Sequence, residues 1–157
     1  MAREENAGGN SKRTTIQSLH GRMCSRLYEK FGDPALEVIR EVYGAYGFEI
    51  GCGLQQKFQP ATLTDAAAIF SMLCEKAGLP YRYEHKGDAL LWNGYKCPFG
   101  LENTHRPVCE AMMQMDVEML GALLGVEKGH VKLTIEKTLA AGDECCQGTL
   151  YLKDDHK

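Results

Sequence analysis

The sequence predicts an α+β fold, about four helices packed on an antiparallel sheet built from two hairpins. Three observations predict it. Apolar residues recur at helical spacing through the first half of the chain. Alternating segments separated by tight turns lie mostly after the helices. No regular strand–helix–strand alternation of the kind that builds a wound parallel sheet is present.

Ile16, Leu19, Met23, Leu27 and Phe31 recur at helical spacing and Gly32 follows as a stop, which predicts a first amphipathic helix. Asp33 caps a second helix with Pro34 in its first turn, and Leu36, Ile39, Val42, Tyr43 and Tyr46 line one face of it. Gly47, Gly51 and Gly53 mark its end. Glycines so close together imply either tight packing against another element or a turn toward a ligand, and tight packing is the commoner reason. Thr62 with Asp65 three residues on, the stripe Ile69, Phe70, Leu73 and Cys74, and Gly78 before Pro80 predict a third helix with Cys74 in the core.

Tyr81 to His85 and Ala89 to Tyr95 read as a hairpin around Lys86-Gly87-Asp88 that delivers the chain to Cys97. Pro107 opens a fourth helix with the stripe Val108, Met112, Met115, Met119 and Leu123, ending at Gly125. Val131, Leu133 and Ile135 then alternate with polar residues, and a turn at Ala141-Gly142-Asp143 leads to Leu150–Leu152, a second hairpin. No internal repeat is present. Residues 1–13 are polar and predict a frayed tail, leaving residues 14–157 as one ligand-binding or catalytic domain.

Composition narrows the class. The chain has 157 residues, 44% of them hydrophobic and 25% charged, the balance of one globular domain with a sizeable core. A net charge of −3 and the lack of any basic cluster interleaved with aromatics argue against nucleic acid as a partner. The N-terminal residues carry no apolar run of the kind a secretory signal or membrane span needs, so a soluble cytoplasmic protein with no membrane partner is expected. Seven cysteines in a chain of this size point to reduced thiols, buried or bound, and not to a disulfide framework. Nothing in the sequence excludes a homodimer.

The residues that bear chemistry gather at element boundaries in the second half. Cys97 ends a strand before a proline, Cys109 falls in the first turn of a helix, and Cys145-Cys146 open a strand after a turn. A helix N-terminus favours a thiolate at Cys109, suited to nucleophilic attack or metal ligation. Cys146 shares strand parity with Leu150 and Leu152 and so faces the core, with Cys145 the spare. His105 offers an imidazole. Cys97, Cys109, Cys146 and His105 would together form a thiolate-rich tetrahedral site for zinc or iron. Buried thiols without metal are an equally good reading, because free cysteine is commonly buried and no Cys-x-x-Cys knuckle is present. Glu102, Glu110, Asp116 and Asp143 include general bases, although Asp143 also reads as a turn residue. Met112, Met115 and Met119 read as core or as the wall of an adaptable apolar pocket.

Several of these pieces resemble the L-2-amino-thiazoline-4-carboxylic acid hydrolase-like family, itself similar to 4-vinyl reductase-like ligand-binding domains. They are Tyr43-Gly44-Ala45-Tyr46-Gly47, Lys96-Cys97-Pro98, Cys109, and the run from Glu136 to Cys146. The Cys-Pro and Gly-Asp-x-x-Cys pieces are also similar to those of cysteine-ligated regulators of the iron–sulfur kind, which add a DNA-binding helix-turn-helix for which this chain has neither room nor charge. The resemblance implies a helical layer over an antiparallel sheet, a pocket between them, and Cys97, Cys109 and Cys146 as the matching cysteines. Gly148 stands where such sequences commonly place an aromatic, and Arg106 interrupts the approach to Cys109, so an altered pocket is implied.

Two functions follow as expectations. In the first, a metal-bound water or Cys109 attacks the C–N carbon of a cyclic amidine-type compound while Glu110 or Asp143 moves protons. In the second, a non-catalytic sensor or carrier holds zinc, an apolar ligand or, less favoured, an iron–sulfur cluster.

Overall fold

A computed structural model of the chain describes residues 14–153. The tail expected over residues 1–13 lies outside them, as do residues 154–157. The elements run α1 (Ile16–Phe31), α2 (Asp33–Phe58), α3 (Leu63–Ala77), β1 (Tyr81–Lys86), β2 (Ala89–Gly94), α4 (Arg106–Met112), α5 (Gln114–Leu124), β3 (Val131–Lys137) and β4 (Cys146–Leu152). The fold is α+β, as the periodicities predict.

Local chemistry sets most of the boundaries. Thr15 and Ser18 form a reciprocal capping box at the start of α1, and Thr62 and Asp65 form another at α3. Gly78 and Gly125 close α3 and α5 in the left-handed conformation that favours glycine. The four strands form one antiparallel sheet in the order β1-β2-β4-β3, so the two hairpins join through β2 and β4 at its centre. Leu90, Trp92, Cys146, Gly148, Leu150 and Val131 are buried on one face. Arg82, Glu84, Lys132, Thr134, Gln147 and Tyr151 are exposed on the other, so the helices cover one face alone.

Two departures from the sequence reading matter for the site. The second helix does not end at its glycines but continues to Phe58. Gly47 and Gly51 instead lie where α2 crosses α5. A Cβ on Gly47 would fall 2.1 Å from the Met115 carbonyl oxygen, and one on Gly51 would fall 2.4 Å from that of Met119. Glycine is a weak helix former, yet the close approach of two backbones requires it here. The expected fourth helix, in turn, breaks at Met113 into α4 and α5. Asp116 N–H bonds the Met113 carbonyl three residues back at 3.1 Å, a tightened turn that redirects α5.

The first helix is inverted relative to ordinary amphipathic packing. Its buried residues are Gly21, Cys24 and Ser25, while Ile16, Leu19, Met23, Leu27 and Phe31 face outward. Among the described residues, no helix is long and apolar enough to cross a membrane.

Candidate functional site

A small cavity of about 40 Å³ lies between the α4–α5 junction and the inner face of the sheet. The sheet contributes Tyr81, Trp92 and Cys146, and the helices contribute Cys109, Met112, Met113, Met115 and Asp116. Phe99, Leu101, Thr138 and Ala140 close its sides, with Cys97 among them. Strand register places these groups: Trp92 pairs with Gly148, and Gly94 with Cys146. Trp92 covers Gly148 so closely that a Cβ there would fall 2.6 Å from the indole Nε1. Trp92 from the neighbouring strand thus fills the space that a side chain at position 148 would need.

The three cysteines Cys97, Cys109 and Cys146 line this one cavity although they come from separate parts of the chain. All seven cysteines are free thiols. The expected thiolate at Cys109 is not what its surroundings favour. Burial pushes the Cys109 thiol up to about 11, and the hydrogen bond from the Thr138 hydroxyl at 3.3 Å offsets this only in part. Its own N–H bonds the His105 carbonyl at 3.3 Å, so it lies past the free donors of the helix start. Burial likewise raises Cys97. Cys146 Sγ accepts the Leu139 N–H at 3.4 Å. Cys145 is buried too but does not line the cavity.

Other predicted site residues point elsewhere. His105 Nε2 meets Glu29 at 3.1 Å and its ring packs edge-on to Tyr28. Glu110 pairs with Arg106 at 2.7 Å on the surface. Asp143 accepts the Thr138 N–H at 2.7 Å, the turn role that its position after glycine also allows. Met119, one turn beyond Met115 on the same face of α5, packs against the core and does not line the cavity. Among the described residues, no group of three or more His, Cys, Asp or Glu side chains is arranged to hold a metal ion.

Of the two polar groups that matter most here, sequence reasoning names Asp116 only as one of four candidate general bases and passes over Trp92. Asp116 is buried in the cavity wall, where loss of water pushes its carboxyl up to about 6 against a hydrogen bond from Tyr83 Oη–H at 3.2 Å. Trp92 is buried as well, and its indole N–H meets no acceptor among the described residues. Strand parity is the signal that could find Trp92, since it alternates inward with Leu90. Only the break in the helix brings Met113 into the wall beside Met112 and Met115.

Outside the cavity, a wider groove of about 840 Å³ runs along α1, past Leu79 and Pro80, to the loop from Lys96 to Thr104. Cys97 belongs to the linings of both groove and cavity.

Neither a protein-family model nor a curated protein matches the chain, which leaves the hydrolase-like resemblance resting on its motif residues. Solved structures do match in fold. The phenol-responsive sensory domain of the transcription activator PoxR, solved with phenol, superposes with a TM-score of 0.64 at 11% identity, covering 88% of this chain and 75% of that one. A trafficking protein particle complex subunit 3 from Naegleria fowleri, covalently bound to palmitic acid, superposes with a TM-score of 0.55 at 12% identity, covering 88% and 95%. At these identities the likeness is one of fold, and the chain shares its α+β architecture with both.

Proposed function

We propose that this chain is a sensory or carrier domain that binds a small, largely apolar molecule bearing one hydrogen-bonding group. One observation carries the reading: Trp92 forms part of the wall of an apolar internal cavity, and its buried indole N–H, packed over Gly148, has no acceptor among the described residues. A buried donor left unpaired costs roughly 1–3 kcal/mol, which a ligand oxygen would relieve. The aromatic rings of Tyr81, Trp92 and Phe99 suit a flat guest, and the fold likeness to a phenol-responsive domain points the same way.

The cavity is smaller than the roughly 150 Å³ that receives a benzene ring. Occupancy therefore needs the wall to move. Met112, Met113 and Met115 are suited to that, because an unbranched thioether repacks at little cost. Entry past Cys97 from the outer groove follows from its place in both linings.

Hydrolysis in the same cavity would ask for Cys109 as a thiolate with Glu110 or Asp143 at its side. Burial disfavours the first, and both carboxylates are engaged elsewhere. Binding is thus better supported than turnover. Zinc or iron on the three thiols is a separate expectation, read by elemental analysis of protein purified without oxygen.

Titration calorimetry with phenol as the probe tests the proposal. Trp92→Phe keeps an aromatic ring but removes the donor, and is expected to weaken phenol binding about tenfold. Met115→Trp fills the cavity and is expected to abolish binding while the protein still melts cooperatively. No heat from phenol or its alkyl-substituted homologues with the wild type would sink the reading. A large fall in melting temperature with affinity kept in the folded fraction would show that Met115 is only core.

A further inference from the structure

We propose that the outward faces of α1 and α2 form a two-fold dimer interface, with α1 of one protomer lying on α2 of a second copy. The observation is the inverted helix. Ile16, Leu19, Met23, Leu27 and Phe31 are between 37% and 68% exposed, although they are the apolar stripe of α1. On α2, joined to α1 through Gly32 alone, Val38, Val42 and Tyr46 recur every four residues and are 55% to 60% exposed. These side chains are large and their spacing makes each set one continuous strip. Single exposed apolar residues are ordinary on a protein surface, but two such strips on adjacent helices are not.

Area supports a stable partner. Taking roughly 200 Å² for a fully exposed large apolar side chain, α1 alone presents on the order of 500 Å². Val38, Val42 and Tyr46 bring the total toward the roughly 800 Å² that each side of a standard interface contributes. Neither residues 1–13 nor residues 154–157 contain an apolar segment that would cover the strips.

Charge identifies the partner as a second copy. Along one edge of the α1 stripe stand Arg22, Arg26 and Lys30, all exposed, with Glu29 the sole acidic residue of the helix. The first half of α2 is acidic, with Asp33, Glu37 and Glu41 against Arg40, and Glu37 and Glu41 flank its stripe four residues apart. A basic apolar helix and an acidic apolar helix on one molecule are self-complementary. Under a two-fold axis, α1 meets the partner's α2 and the same contact recurs in reverse.

Sedimentation velocity on the full chain over micromolar concentrations tests this. The wild type is expected to sediment as a dimer, and Leu19→Glu with Met23→Glu as a monomer. Val42→Glu should do the same from the other helix. Reversing Arg26→Glu and Lys30→Glu should weaken dimerisation about tenfold or more. Adding Glu37→Lys and Glu41→Lys should restore it, a rescue that a general loss of folding would not allow. Circular dichroism melts check that each variant folds. A wild type that is monomeric throughout overturns the proposal, as does one that stays monomeric and floats with anionic phospholipid vesicles. Failure of the paired reversal to rescue overturns the placement of α1 on α2.

Discussion

Gly47→Ala is expected to destabilise the fold by about 3 kcal/mol or more, at the upper end of what overpacking costs. On helix propensity alone the change should help by about 1 kcal/mol, because alanine is the best helix former and glycine among the worst. Packing reverses the sign. The added methyl would fall 2.1 Å from the Met115 carbonyl oxygen and 2.8 Å from its carbon, which are backbone atoms that no rotamer change can move. Relief needs α2 and α5 to part, and that opens the layer which holds the cavity against the sheet. Gly53→Ala is the matched control: it lies on the same helix, and nothing stands within 4 Å of where its methyl would fall. It should be neutral or gain up to about 1 kcal/mol. Urea unfolding of both variants reads the difference, and equal shifts would mean that the crossing is looser than described.

Asp116→Asn is expected to raise stability at neutral pH by about 3 kcal/mol and to leave it almost unchanged below about pH 4. The folded protein holds this carboxyl at about 6 against an ordinary value of 3.8 because it sits away from water in the cavity wall. Below the unfolded value both states carry the proton and burial of the neutral acid is cheap. Between the two values the folded state keeps a proton that the unfolded state gives up, so stability falls as pH rises. Above about pH 6 the folded protein must hold a buried charge, and the loss is complete. Asparagine has the same shape, still accepts from the Tyr83 hydroxyl, and never ionises. Melting curves from about pH 4 to pH 8 should therefore diverge, the wild type falling behind by on the order of 5–10 °C. Parallel curves would mean that the carboxyl is solvated in the folded state.

The two predictions lie on different links of the same chain of causes. Gly47 concerns how closely two helices must pack, a matter of shape. Asp116 concerns what the cavity does to a charge once that packing has excluded water. If Asp116 is neutral at mildly acidic pH it gains a hydrogen to donate, so phenol affinity measured across the same range would show whether it faces the guest.

Much of the architecture is legible in the sequence because local rules are local. The capping box at Thr62, the stops at Gly32, Gly78 and Gly125, and the alternation in both hairpins depend on residues within a few positions of one another. The parity that turns Cys146 inward beside Leu150 follows from strand geometry in the same way. The amphipathic pattern of the first helix is equally real. Periodicity reveals that a stripe exists but not what covers it, and here Gly21, Cys24 and Ser25 take the inward side.

The tertiary structure decided where glycines break helices and where they let them touch, because that depends on a second backbone at the same place. It decided that the helix over Met112 to Met119 breaks at Met113, and that Met113 and Met115 line the cavity while Met119, one turn further on, does not. It also set the ionisation of Cys109 and Asp116, since burial is a property of the whole surroundings and outweighs the helix-end effect that sequence position suggests. The sequence by itself determined the elements, their order and which strand faces turn inward, because these follow from neighbours along the chain. What the cavity contains, and which apolar face is left outside, depends on residues far apart in sequence meeting in space.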